Sequence, residues 1–134
     1  MGENVIIIFL KLNKIVIEQR LTKSGAFDLM LLPGGGIEEF DHTDAEDYRI
    51  TAMKREIREE LGEHITVKGY TFLTTAESSE QLRMFHCYIV HDWAGEIPEY
   101  GLEDGKTNAK LVWMEIEEAF LVVHNDIART LVGR

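Results

Sequence analysis

The sequence predicts an α+β fold, on three observations. Residues 5–10 and 15–17 are apolar runs of strand length separated by Lys11-Leu12-Asn13-Lys14, a spacing that suits a hairpin whose first strand is buried on both faces. Residues 44–61 instead place Ile50, Met53, Ile57 and Leu61 at helical spacing, so that one apolar stripe faces a core. Strand-length apolar stretches return at residues 65–73 and 82–91. With 134 residues, 45% of them hydrophobic, the chain suits a single domain covering residues 1–134.

Taken in order, Arg20 closes the second strand, and polar residues 22–25 lead to a short strand over residues 27–32 that ends at Pro33. Gly34-Gly35-Gly36 is expected to break regular structure and to let the backbone come close to a ligand, although a plain flexible turn has the same composition. In the acidic stretch that follows, Thr43-Asp44-Ala45-Glu46 fits a capping box and predicts a helix starting near Asp44. Gly62 stands where a C-terminal glycine would end it. Asp41, Asp44 and Asp47 do not make an EF-hand loop, because the further oxygen donors and the glycine are missing. His86, alone in a strand, reads as a packed or hydrogen-bonded core residue rather than a ligand. Residues 74–80 form a polar connection, and residues 92–110 a loop long enough to carry function. A last strand over residues 111–114 and helical stretches over residues 115–123 and 126–132 complete the chain.

Composition narrows the function. The one cysteine, Cys87, excludes an intrachain disulfide, and residues 5–10 are too short for a membrane span and lack preceding basic residues, so a soluble cytoplasmic protein is expected. A formal charge of −10 argues against a nucleic-acid polymer as partner, since phosphate backbones are held by clustered Lys and Arg. A small phosphorylated substrate is compatible if metal ions or a locally basic spot offset the field of the protein.

The helix over residues 44–61 bears the most pointed chemistry. Glu56, Glu59 and Glu60 fall three and four residues apart, so their carboxylates share one face, and Arg55 and Arg58 offset that repulsion only in part. A divalent cation would balance the three anions; a solvated Glu/Arg face would carry the same letters.

The wider pattern decides between these readings. Leu32-Pro33-Gly34-Gly35-Gly36, an acidic segment, and Arg55-Glu56-Ile57-Arg58-Glu59-Glu60-Leu61-Gly62 together resemble the box of the Nudix hydrolases, G-x5-E-x7-R-E-U-x-E-E-x-G-U with U a bulky apolar residue. Residues 15–20 resemble the family's second strand with its terminal arginine, Trp93-Ala94-Gly95-Glu96 a motif after a later strand, and residues 113–119 the late W…EA motif. The chain departs from the pattern in two places. Counting back from Arg55 puts the first box acid at Asp47 or Glu46, with an insertion of about five residues within residues 38–46, and Glu63 replaces the final apolar residue, whose packing Ile65 is expected to take over.

The resemblance implies an α/β/α sandwich with a curved mixed sheet and the box helix packed against it. It also implies Mg²⁺-dependent hydrolysis, with Mn²⁺ as a substitute, of a nucleoside diphosphate linked to another group, by water attack on phosphorus. Glu56, Glu59 and Glu60 would ligate the metal with a carbonyl at Gly35 or Gly36, and Arg55 would hold a box carboxylate through a bidentate pair that Lys could not copy. Either a box glutamate or Glu103, in Gly101-Leu102-Glu103, would serve as base, Glu103 also being a candidate ligand. Arg20 and Arg83 are candidates for phosphate contact, against the alternative of strand-end surface ion pairs. A Nudix-fold module that binds a nucleotide without cleaving it is the competing class, disfavoured because such modules lose box glutamates. Phe27, Tyr48, Tyr70, Phe72 and Tyr88 cannot be divided between stacking and core from sequence, and a homodimer, common for enzymes of this size, stays open.

Overall fold

The computed structural model describes residues 2–21, 25, 27–103 and 106–123. β1 (Gly2–Lys11) and β2 (Lys14–Leu21) form the expected hairpin, paired at Leu10↔Ile15 and Lys11↔Lys14. Beyond those pairs the two strands part, and the opening takes two short strands. β3 (Phe27–Leu31) adds to β2 and β4 (Gly34–Gly36) adds to β1, with Ile6 opposite Gly34 and Asn4 opposite Gly36. The glycine triplet therefore does not break regular structure as expected. Its backbone joins the ladder, and lacking side chains it leaves the cleft side of that ladder open.

β5 (Thr66–Ser78), β6 (Arg83–Ala94), β7 (Tyr100–Glu103) and β8 (Lys106–Glu115) complete a mixed sheet of order β5-β6-β1-β2-β8-β7, in which β1 and β6 run parallel. The polar connection over residues 74–80 is therefore shorter than expected, because β5 continues to Ser78. Residues 92–110 are likewise not one loop: they contain β7 and the start of β8, which extends the strand expected over residues 111–114. Backbone pairing at Tyr100↔Lys110 and Gly101↔Ala109 holds them although no apolar alternation marks them.

Alternation along β1 divides the core. Val5, Ile7 and Phe9 face α1 (Tyr48–Leu61), while Ile6 and Ile8 face α2 (Ile116–Val122). α1 covers the first face with Ile50, Met53, Ile57 and Leu61, the predicted stripe, and buries Ala52 as well. Ala119 and Val123 seal the other. The result is a helix–sheet–helix sandwich. Ile65, 5% exposed beneath α1, packs in the core next to the position where Glu63 replaces an apolar residue. The helical stretch expected over residues 126–132 lies outside the described residues.

α1 begins later than the capping box predicts. Thr43 Oγ1 accepts the Ala45 N–H, at 3.4 Å, and residues 42–47 stay non-helical. Asp47 is the cap, accepting the Arg49 N–H at 2.9 Å. At the other end Gly62 adopts φ 113°, a conformation that suits glycine, and its N–H reaches the Ile57 and Arg58 carbonyls.

Candidate active site

The parting of β1 from β2 places the glycine strand, the last turns of α1 and the end of β2 around one cleft of about 630 Å³, lined by Arg20, Gly34, Gly35, Gly36, Arg55, Glu56, Glu59 and Glu60 among others. These eight residues, each singled out from the sequence, thus meet in one place. Arg83 does not line it: its guanidinium donates to Asn4 Oδ1 and to the Glu3 carbonyl, between β6 and β1. Glu103 closes β7 one residue beyond Leu102, which lines the cleft, and its side chain lies outside the described residues.

Arg55 organises the acids. Nε and Nη2 donate to the two oxygens of Asp41 at 2.8 and 2.9 Å, and Nη2 also donates to the Gly36 carbonyl at 2.9 Å. Nη1 donates to Glu56 Oε1 at 3.0 Å and to Glu59 Oε2 at 2.9 Å. All five N–H donors of the guanidinium are engaged, a number that no lysine can supply. The Phe40 ring lies 5.2 Å from its centre.

Asp41 is the acid that the sequence reading failed to place. It is 1% exposed, and although burial acts to raise its pKa, the hydrogen bonds from Arg55 and from the Glu38 N–H hold it below the usual carboxylate value. Neither Asp47 nor Glu46 takes this role: Asp47 caps α1 and pairs with Arg49, and Glu46 pairs with Lys54 at 2.9 Å. Counted forward from Gly35, Asp41 satisfies the G-x5-acid spacing, and the insertion lies after it, between Asp41 and the helix. The signal was present, but counting back from Arg55 ran through the insertion.

Glu60 is the most unusual group. Burial, then the charges of Glu18 and Glu56, raise its pKa, and its Oε2 is buried with no hydrogen-bond partner among the described residues. Burial likewise raises Glu56, against the pull of Arg55. Glu18, 2% exposed on β2, is a further buried carboxylate that the strand pattern concealed. Gly35 has its function in this crowding, since a Cβ there would run into the Glu56 carboxylate.

Among the described residues no three acidic, His or Cys side chains stand as a finished metal shell. Arg55 holds one oxygen each of Glu56 and Glu59. The donor set nevertheless fits a hard cation: all-oxygen, excess negative charge, and one buried carboxylate oxygen, Glu60 Oε2, without a partner among the described residues.

His86 is a hydrogen-bonded core residue, with Nε2 2.7 Å from Glu3 Oε1 and Nδ1 2.9 Å from Thr75 Oγ1. Tyr88 is core, Tyr48 donates to Glu3, and Tyr70 and Phe72 are exposed on β5. The side chain of Phe27 lies outside the described residues.

A family model described as the NUDIX domain matches residues 2–132. The chain belongs to the Nudix family. It is accordingly an enzyme of the Nudix pyrophosphohydrolase class. Among curated proteins none matches in sequence. Solved structures similar to the chain include the mutator MutT protein of Bacillus halodurans (17% identity, TM-score 0.72, covering 100% of this chain and 81% of that one). The E. coli ORF135 protein is 27% identical at TM-score 0.72, covering 99% and 86%. A MutT Nudix hydrolase of Burkholderia pseudomallei is 19% identical at TM-score 0.71, covering 98% and 95%. Among the described residues no helix is long and apolar enough to cross a membrane.

Proposed function

We propose that this chain, acting in the cytoplasm as one domain, is a Mg²⁺- or Mn²⁺-dependent hydrolase of a nucleoside diphosphate linked to another group. The observation that carries this reading is the orphaned Glu60 Oε2 among the buried carboxylates of Glu18 and Glu56, inside the cleft that the glycine strand opens. Glu56, Glu59 and Glu60 would hold the metal, with the Gly36 carbonyl and Glu103 as further donors. When bound, the ion supplies positive charge for the diphosphate and acidifies a water molecule.

The chain's own groups do the rest. Arg55 fixes the carboxylate ends of Glu56 and Glu59 by donating from one nitrogen to both, so the acids are aligned before a ligand arrives. Arg20, which lines the same cleft beside Glu60, would meet a phosphate oxygen. Gly34, Gly35 and Gly36 present backbone without side chains, so a diphosphate can lie close to β4. Proton removal from the attacking water falls to Glu103 or to a box glutamate.

The test is a panel of nucleoside triphosphates, oxidised deoxynucleoside triphosphates, ADP-ribose, nucleotide sugars and dinucleoside polyphosphates, incubated with the protein and Mg²⁺. Release of nucleoside monophosphate, phosphate or pyrophosphate from at least one member, abolished by EDTA, is the expected result. Turnover that persists in EDTA, or none on any member, counts against the reading.

A further inference from the structure

Arg20 is held by a carboxylate that no box position supplies. Val16, Glu18 and Arg20 alternate along β2 and so share the face toward α1. Val16 is sealed in the core, Glu18 is 2% exposed, and Arg20 reaches the cleft. Arg20 Nε and Nη2 both donate to the single oxygen Glu18 Oε2, at 3.1 and 3.0 Å. The same Nη2 stands 4.0 Å from Glu60 Oε1, too far for a hydrogen bond, although Glu60 has a buried oxygen with no partner among the described residues.

Arg20 therefore lies between two carboxylates and is bonded to one. A charged acceptor in the middle of a strand is a poor choice for stability, because desolvating an ion pair commonly cancels its attraction. Its effect on geometry is specific. With Glu18 uncharged, the guanidinium would turn to the nearest remaining carboxylate among the described residues, Glu60, and pair there. That one movement would withdraw a cation from the substrate and a carboxylate from the metal together.

We propose that Glu18 is a positioning residue of the cleft: it holds Arg20 off Glu60, so that Glu60 stays available to a divalent cation and Arg20 to a substrate phosphate. The inference rests on the metal-dependent reading of the site and assigns Glu18 a part in it. Glu18 acts through Arg20 and is not itself placed on the reacting atoms.

Mn²⁺ binding, measured on the protein without substrate by the paramagnetic resonance of the free ion, tests it. Glu18→Gln is expected to weaken Mn²⁺ roughly tenfold, the range seen when an outer partner of a ligand is lost, and to raise KM by more than it lowers kcat. In Glu18→Gln with Arg20→Gln the competing cation is gone, and Mn²⁺ affinity should return to within about threefold of wild type while KM stays high. Wild-type Mn²⁺ affinity in Glu18→Gln overturns the proposal. So does a weakened single variant that the second substitution fails to restore, since Glu18 would then act by its own charge. If Glu18→Gln does not fold by circular dichroism, Glu18→Asp keeps the charge, withdraws the oxygen by one methylene and should shift both constants in the same direction; unchanged constants there also overturn it. A wild type that binds Mn²⁺ but turns over nothing fails the functional reading and leaves this measurement intact. A wild type that binds no Mn²⁺ removes both.

Discussion

Arg55 shows how much of a site can depend on one donor set. The family resemblance gave it a carboxylate partner, but only the folded chain shows that the partner is Asp41 and that Gly36, Glu56 and Glu59 share the same guanidinium. Arg55→Lys keeps the charge and loses the fork. Asp41, 1% exposed, would lose its bidentate partner, and Glu56 or Glu59 would lose theirs. Truncating one side of a buried charged pair costs about 3–5 kcal/mol, so with the ammonium still present about 2–3 kcal/mol is expected, read as a lower urea midpoint. Turnover should fall about a hundredfold, because the acids are no longer aligned. An unchanged midpoint would show that Arg55 is not what keeps Asp41 buried.

At the scale of the element, legibility followed the strength of the side-chain period. The stripe Ile50, Met53, Ile57 and Leu61 announced α1 and its buried face, and the apolar runs announced β1 and β2. The glycine strand was invisible because a strand without side chains has no period, and β7 because its backbone pairing with β8 needs no apolar alternation. The start of α1 was misread for a different reason. Thr43 and Glu46 match a capping box in sequence, but Asp41 is tied to Arg55, and the chain must span residues 42–47 before it can turn into the helix at Tyr48. Asp47 is the cap that survives this constraint. Asp47→Ala should cost about 1 kcal/mol near neutral pH. The hydrogen bonds from Arg49 depress the Asp47 pKa from 3.8 to about 2, so its contribution is present above the unfolded value of 3.8 and fades as pH falls toward about 2. The difference in melting temperature between wild type and Asp47→Ala should therefore shrink on acidification through that window. A difference independent of pH would mean that the carboxylate charge plays no part in the cap.

On the scale of the whole molecule, a chain of charge −10 that gathers carboxylates in one cleft folds against its own repulsion. The raised pKa of Glu60 makes the sign explicit. A carboxyl whose folded pKa lies above its unfolded value stabilises the protein at low pH, and that stability is lost as pH rises from 4.5 toward the folded value. Near neutral pH without metal, Glu60 therefore works against folding, and a bound cation should reverse the effect. At a hundred times its dissociation constant an ion bound only by the folded state adds about 2.7 kcal/mol, on the order of 10 °C in melting temperature for a chain of this size. Glu60→Gln separates the two contributions. The neutral amide removes the repulsion with Glu18 and Glu56, so the metal-free variant should melt higher than metal-free wild type, and the ligand is gone, so added Mg²⁺ or Mn²⁺ should raise its melting temperature little. Differential scanning calorimetry with EDTA and with Mn²⁺ reads both quantities on the same samples. A metal-free Glu60→Gln protein less stable than wild type would show that another group already neutralises Glu60, and a full Mn²⁺ shift in the variant would remove Glu60 from the ligands.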